Sequence, residues 1–471
     1  MNTRQSDRKS APSRSTWGLL AAAFAMLLSG CSSIGKVENR PATDLASVQP
    51  RYSASHHDRT HPLGDTLVVL AFSGGGTRAA AMSYGVLEEL RDTRLNGGKT
   101  RLLDEVDRIS SVSGGSFTSA YYGLFGDRIF EDFREIFLYK DVQGELTDLV
   151  LGLVDMLRRL FSTESRTEVA IRYYDKNIFR GKTFADLARS PGPFILINAS
   201  DLNSRSQFIF IQPQFDFLCS DLSDFKVARA VAASSAVPVL FAPILIKRHD
   251  DCNLSKPQWL REAEETARKK DDQRLMEAVD SLNFYLDKNN PPYATLVDGG
   301  ITDNLGLRTL LRNVGLSGGV LKMYQRSSHS KPPPKRIVVI VVNASVTSVT
   351  DIGKSLVLPS LSDTLTVVTD MQLHLYNTET NSLLKEELMQ WAKTLSSATG
   401  YPVESYYIDI DATDIQDEQE RVYFNKIPTS FSLEREQADR LISLARRMLR
   451  NNPEFKRLLR DLGATPVTPS P

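Results

Sequence analysis

One serine of this 471-residue chain stands where acyl-transfer enzymes place a nucleophile. Ser113 lies in the sequence Ser-Val-Ser-Gly-Gly, residues 111–115, directly after an apolar run. A serine at the apex of a sharp strand-to-helix turn is forced outward, and its hydroxyl becomes accessible. The usual pattern begins with glycine, a position that the small residue Ser111 occupies here. Ser113 is therefore the candidate nucleophile, and the alternative role is a helix N-cap.

A triple glycine could stabilise the charge that develops during acyl transfer. Residues 73–78 read Ser-Gly-Gly-Gly-Thr-Arg, and the backbone N–H groups of Gly74, Gly75 and Gly76 are predicted to form an oxyanion hole. Arg78 would steady this turn or add positive charge, unless it is an ordinary surface arginine.

The same residues, followed by Ala79, also satisfy the loose dinucleotide-binding pattern G-x-G-x-x-G/A. We set that interpretation aside because the next predicted strand ends in a serine turn, and no acidic residue stands where a ribose would bind.

A serine hydroxyl needs a base, and Asp298 is the candidate. Asp298 follows a predicted strand and precedes Gly299 and Gly300, whereas none of the six histidines lies in a glycine turn. A Ser113/Asp298 dyad follows, with a turn-forming aspartate as the alternative role of Asp298. A Ser-Asp-His triad that uses His329 or His374, acting on another lipid or ester, and a catalytically inactive envelope scaffold are the alternative functions.

The elements that must position these residues alternate between strands and helices. The run 66–72 is short, apolar and rich in β-branched residues and predicts a strand, and residues 107–112 repeat this layout before the second glycine turn. The residues after each glycine turn, 79–90 and 117–122, favour helices. Two such units in succession predict an α/β fold with a mainly parallel sheet, continued by the strands 193–199, 294–297 and 337–342.

The first residues are typical of an export signal. Basic residues precede the apolar stretch 17–28, which is too short to span a bilayer, and Leu-Ser-Gly-Cys at 28–31 resembles a bacterial lipobox. This resemblance implies cleavage before Cys31 and acylation of Cys31, and Ser32 favours the outer membrane, facing the periplasm. The alternative is an uncleaved anchor. In an exported protein, Cys219 and Cys252 either form a disulfide or remain two free thiols.

Composition limits the possible partners. Lys and Arg number 57, as do Asp and Glu, and hydrophobic residues make up 41% of the chain. There is no long basic stripe, so no nucleic-acid partner is expected.

The chain resembles the patatin-like phospholipase family, through residues 73–78, 111–115 and 298–300 in that order, and its C-terminal part resembles a bacterial lipoprotein subgroup less specifically. The resemblance covers about residues 66–345. It implies a three-layer α/β/α patatin-like fold, with Ser113 as nucleophile, Asp298 as base and Gly74 to Gly76 as oxyanion donors. The implied activity is hydrolysis of fatty acyl esters in phospholipids or lysophospholipids, without a metal or other cofactor.

We expect five regions along the chain. They are a signal peptide at 1–30, a tether at 31–63, a catalytic domain at 64–345 with a charged helical insertion at 253–290, a mainly helical part at 346–463 and a disordered tail at 464–471. The oligomeric state is left open.

Overall fold

A computed structural model describes residues 35–151, 165–238, 240–252, 254–327, 332–345, 356 and 358–464. The predicted signal peptide, Cys31 and His329 lie outside the described residues, as do residues 465–471 of the expected tail. None of the helices in the described ranges contains an apolar stretch long enough to cross a bilayer.

Eight strands form the central sheet. In chain order they are β1 (Thr66–Phe72), β2 (Val106–Val112), β3 (Phe194–Asp201), β4 (Ser206–Ile209), β5 (Ile244–Lys247), β6 (Tyr293–Val297), β7 (Arg336–Asn343) and β8 (Glu404–Asp411). Their spatial order is β8-β7-β1-β2-β3-β6-β5, and β4 pairs with β3. The strands from β8 to β3 are parallel, whereas β4, β5 and β6 pair in antiparallel fashion. The predicted α/β class with a mainly parallel sheet is confirmed.

The described helices flank and connect these strands. They are α1 (Ala54–Thr60), α2 (Gly76–Asp92), α3 (Gly114–Phe125), α4 (Ile129–Phe133), α5 (Val142–Leu151), α6 (Arg166–Tyr174), α7 (Phe184–Arg189), α8 (Gln212–Asp216), α9 (Val227–Ser234), α10 (Gln258–Lys270), α11 (Gln273–Leu286), α12 (Gly300–Asp303), α13 (Arg308–Leu316), α14 (Val320–Ser327), α15 (Leu361–Thr399), α16 (Glu418–Asn425), α17 (Arg435–Asn451) and α18 (Pro453–Asp461).

Both faces of the sheet are covered by helices. Successive side chains of a strand point to opposite faces. Accordingly, Leu70 and Phe72 of β1 belong to a core with α2, α3 and α17, whereas Val69 and Ala71 belong to a second core with α13, α14 and α15. The result is a three-layer arrangement, with the sheet between two helical layers.

The segment expected to be a tether packs on this body over much of its length. Arg40–Pro41 pairs with Ser220–Asp221 as a short antiparallel ladder. The Tyr52 hydroxyl is buried and donates to the carbonyl of Ile195 at 2.7 Å. Apolar and hydrogen-bonding residues within the segment therefore make it part of the folded structure.

The C-terminal part contributes to the central sheet as well as to the helical layers. β8 pairs with β7 along its whole length, from Glu404 opposite Arg336 to Asp411 opposite Asn343. The expectation of a mainly helical part did not include this strand, whose polar and apolar residues alternate because it lies at the edge of the sheet.

The charged insertion folds into two helices, α10 and α11. Their apolar residues, including Leu260 and Val279, are buried, while the charged residues face outward. Nearby, Cys219 and Cys252 form a disulfide with a Cα–Cα distance of 5.5 Å. Of the two states that the sequence left open, the structure contains the paired one.

Candidate active site

Ser113 lies at the turn between β2 and α3, with a backbone conformation that few residues adopt. Its φ is 50° and its ψ is −120°. A non-glycine residue with positive φ is strained, and such strain is typical of a serine held at a strand-to-helix turn. Ser111, in place of the usual glycine, is buried in β2, and its hydroxyl accepts a hydrogen bond from Ser119 at 2.6 Å. A serine is therefore accommodated at this position.

Asp298 reaches Ser113 because β6 runs antiparallel to its neighbour β3. Val297 lies opposite Ser200, and on the other side of β3 Val112 lies opposite Asn198. Asp298, the residue after β6, therefore lies level with the end of β2. There the Asp298 carboxylate accepts a hydrogen bond from the Gly300 N–H at 2.8 Å, and the Ser113 hydroxyl lies close enough to lower the pKa of the carboxyl. The structure thus brings the two predicted site residues together.

The environment of Asp298 favours its protonated form. Asp298 is 8% exposed and Ser113 is 4% exposed. Burial raises the pKa of Asp298 to about 6, although the hydrogen bonds from Gly300 and Ser113 lower it in part. A carboxylate with a raised pKa is a stronger base than an ordinary aspartate, yet it is still ionised at neutral pH.

The triple glycine lies beside the serine turn, at the start of α2. A Cβ atom on Gly114 would stand 1.9 Å from the Gly76 carbonyl oxygen, so the two turns touch through their backbones. The N–H of Gly74 donates to the Asn304 carbonyl at 2.9 Å, and that of Thr77 donates to the Ser430 carbonyl at 2.9 Å. The Gly74 donor is therefore occupied, contrary to its predicted role. Among the described residues, the N–H groups of Gly75 and Gly76 have no acceptor.

Arg78 serves to hold loops together. Its buried guanidinium donates to the carbonyls of Ala344 at 2.8 Å and Ile427 at 2.6 Å and to the Thr429 hydroxyl at 3.1 Å. Burial lowers its pKa to about 10. Since its donors point to protein acceptors, the loop-steadying role expected from the sequence fits better than a direct contact with an oxyanion.

The described histidines occupy other parts of the molecule. His374 is exposed on α15, and His56 and His57 lie on α1, before β1. The ring of His249 contacts the Asn39 carbonyl at 3.2 Å. The groups that act on the Asp298 carboxylate in the described structure are the Gly300 N–H and the Ser113 hydroxyl instead.

Ser234, at the end of α9, is a site residue that sequence reasoning missed. Its hydroxyl accepts from the Ser113 N–H at 2.8 Å and donates to the Asn198 carbonyl at 2.6 Å. Its own carbonyl accepts from Gly299, next to Asp298, at 3.0 Å. Ser234 thus ties both candidate catalytic residues to β3. The motif Ala-Ser-Ser-Ala-Val-Pro at 233–238 was the available signal.

Asn304 is a second residue that the motifs did not indicate. Besides accepting from Gly74, it donates through its side chain to the Ser345 hydroxyl at 3.3 Å. A Cβ atom on Gly74 would meet the Asn304 Oδ1 at 2.5 Å. Asn304 therefore fixes the first glycine of the turn and requires glycine there.

Within the described ranges, no group of three or more His, Cys, Asp or Glu side chains is arranged to hold a metal ion. The site consists of a serine at a strained turn, a buried carboxylate beside it and two free backbone donors at a helix N-terminus. These are the parts that a serine-centred hydrolase with a three-layer α/β/α fold requires.

A family model described as patatin-like phospholipase matches residues 70–311. The chain belongs to the patatin-like phospholipase family, and this membership assigns it to the lipid ester hydrolases. No match was found among curated proteins.

Solved structures with a related arrangement include human GIVD cytosolic phospholipase A2. It is 12% identical, with a TM-score of 0.44, over 92% of this chain and 69% of that chain. The same human protein in complex with methyl gamma-linolenyl fluorophosphonate is 12% identical, with a TM-score of 0.39, over 89% of this chain and 63% of that chain. VipD from Legionella pneumophila is 10% identical, with a TM-score of 0.26, over 89% of this chain and 72% of that chain.

Proposed function

We propose that this protein hydrolyses fatty acyl esters of phospholipids or lysophospholipids through a Ser113/Asp298 dyad, while a lipid on Cys31 anchors it to a membrane. The observation that carries the proposal is the placement of Ser113, at its strained turn, beside the buried Asp298 carboxyl, whose pKa the serine hydroxyl lowers in part. Membership in the patatin-like phospholipase family supports the lipid ester as substrate.

In the first half of the reaction, Asp298 removes the hydroxyl proton as the Ser113 oxygen attacks the ester carbonyl carbon. The carbonyl oxygen becomes an oxyanion, which accepts hydrogen bonds from the N–H groups of Gly75 and Gly76. The bond to the alcohol then breaks, and the proton held by Asp298 passes to the departing alkoxide. An acyl ester on Ser113 remains.

In the second half, Asp298 removes a proton from water, whose oxygen attacks the acyl carbonyl. The second oxyanion uses the same two donors, and its collapse releases the fatty acid and returns the proton to Ser113. A single carboxylate thus serves as base and acid in each half. Its raised pKa, about 6, suits both roles near neutral pH.

The position of Gly35 limits how far the folded body could lie from a lipid on Cys31. Gly35 is the first described residue and follows Cys31 by four positions. It packs against Leu245 of the edge strand β5. Four residues span at most about 14 Å. A lipid on Cys31 would therefore keep the folded body within a short distance of the membrane surface. Mass measurement of the protein extracted from membranes tests for the acyl chains.

The Ser113→Ala variant tests the catalytic proposal. We expect loss of fatty acid release from phospholipid and lysophospholipid vesicles by more than about a thousandfold, since the nucleophile is removed. Asp298→Asn should cause a similar loss, and a fluorophosphonate probe should label the wild type but not Ser113→Ala.

Ser83→Ala is the matched control for this test. Ser83 is a buried serine on α2 whose hydroxyl makes no hydrogen bond in the described structure, so its removal should leave hydrolysis unchanged. Release of fatty acid by Ser113→Ala at the wild-type rate would refute the proposal.

A further inference from the structure

A C-terminal loop, residues 427–431, contacts the glycine turn although it lies outside the residues that match the family model. Its Ser430 carbonyl accepts the Thr77 N–H at 2.9 Å, and its Ile427 carbonyl accepts from Arg78 at 2.6 Å. A Cβ atom on Gly76 would lie 2.3 Å from the Ser430 carbonyl oxygen. The loop is therefore held directly against one of the two free oxyanion donors.

This attachment places the Phe431 side chain against the helix that begins after the candidate nucleophile. Phe431 is 7% exposed, and its ring lies 5.7 Å from that of Phe117. Phe117 follows Ser113 by four positions and thus shares the first turn of α3 with it. The carbonyl of Phe431 also accepts from the Gln143 N–H at 3.1 Å, which fixes the loop from the side of α5.

A second aromatic residue reaches Phe431 from the Asp298 side of the site. The Phe241 ring meets the Phe431 ring edge to face at 6.4 Å. Phe241 is connected to the catalytic carboxylate through a short segment, because the Ala236 carbonyl accepts the Asp298 N–H at 3.0 Å. Phe241 is only half-buried, and the adjacent Leu240 is 56% exposed.

We propose that Phe431 and Phe241 form the binding surface for the fatty acyl chain of the substrate, and that loop 427–431 sets which chain lengths are accepted. This inference rests on the proposed function. The two rings form a continuous apolar cluster that extends from Phe117, on the helix after Ser113, to the exposed Leu240. Burial of methylene groups against such rings favours long acyl chains.

The test uses Phe431→Ala and Phe241→Ala in the full-length protein with 4-nitrophenyl acetate, butyrate, octanoate and palmitate. We expect kcat/KM for octanoate and palmitate to fall about tenfold or more, because contacts with the chain are lost, and kcat/KM for acetate to change less than about twofold. An unchanged preference for long over short chains in both variants would overturn the proposal. Equal losses on all four esters would also overturn it, since the loop would then act only by holding the glycine turn.

Two further variants keep the test interpretable. Phe431→Leu preserves an apolar side chain if Phe431→Ala fails to fold, and half-buried Phe241 carries the test independently. Phe217→Ala is the matched control, because Phe217 is buried to a similar degree and forms an edge-to-face pair with Trp259 at 6.1 Å. Its chain-length profile should equal that of the wild type. If Ser113→Ala also hydrolyses these esters at the wild-type rate, the proposed function fails. If Ser113→Ala is inactive but Phe431→Ala and Phe241→Ala keep the wild-type chain-length preference, only the acyl-binding surface is rejected.

Discussion

At the scale of single residues, the site depends on a carboxylate that is buried but still hydrogen-bonded. Gly300 and Ser113 both lower the pKa of Asp298, and no cation contributes to the described shift. Burial therefore outweighs the hydrogen bonds, and the pKa rises to about 6. An ion pair at this position would make the carboxylate a weaker base, so burial without a cationic partner contributes to the chemistry of the site.

The pH dependence of hydrolysis should report this carboxylate. Because the ionised form is the base, kcat/KM should fall about tenfold per pH unit below pH 6 and reach a plateau above it. Initial rates on a soluble short-chain ester between pH 4.5 and 8 measure this limb, with circular dichroism to verify that the protein stays folded. A rate that is constant down to pH 5 would contradict the assignment of Asp298 as the base.

At the scale of elements, the glycine turn is held by parts of the chain far apart in sequence. Asn304 accepts from Gly74, and Ser430 accepts from Thr77. These two contacts fix the turn on either side of Gly75 and Gly76, whose N–H groups have no acceptor among the described residues. An oxyanion hole needs fixed donors, because reorganisation during the reaction would cost part of its effect.

Gly76→Ala should therefore lower kcat more than the addition of a single methyl group suggests. Gly76 has a φ of 60°, and the added Cβ would lie 2.3 Å from the Ser430 carbonyl oxygen, so both the turn and loop 427–431 must shift. We expect kcat to fall by about a hundredfold, comparable to the loss of one oxyanion donor.

Gly97→Ala is a control that carries the backbone strain of Gly76→Ala but lacks the contact with Ser430. Gly97 has a φ of 67° but no atom within 4 Å of an added Cβ. Both variants carry similar strain, so this control should retain kcat within about twofold. Equal kcat values for the two variants, measured on a short-chain ester, would show that the Ser430 contact has no catalytic effect.

At the scale of the whole molecule, the C-terminal part is bound to the region that matches the family. Arg446 of α17 donates to Asp92 at 2.6 Å, Glu89 at 3.2 Å and Glu88 at 3.3 Å, all on α2. The side chains of Glu88 and Glu89 are 7% and 3% exposed. Because α2 begins at the glycine turn, these ion pairs stabilise the helix that carries the oxyanion donors.

Arg446→Ala should destabilise the fold by about 3 kcal/mol, since it leaves buried carboxylates with fewer cationic partners. Arg447→Ala is the matched control at the next position. Arg447 pairs with Glu420, and their side chains are 50% and 33% exposed, so its removal should cost less than about 1 kcal/mol. Urea denaturation followed by fluorescence measures both changes, and equal stabilities of the two variants would contradict the prediction.

The sequence predicted the elements that depend on local patterns. Strand β1 spans the predicted residues 66–72, because a β-branched apolar run ends at a glycine. The motifs also selected Ser113 and Asp298, which the fold brings together. The direction of β6 and the strand β8 were not predicted, since strand pairing depends on partners elsewhere in the chain.

What the amino-acid sequence determined by itself was the strand and helix pattern, the mainly parallel sheet and the residues that could react. Only the tertiary structure decided which donors are free. The N–H of Gly74 is occupied by Asn304 and that of Thr77 by Ser430, whereas Ser234 holds the Ser113 backbone. Each of these hydrogen bonds joins residues more than a hundred positions apart, and such partners leave no periodic or local signal. They arise because most buried polar groups find a partner once the layers pack together.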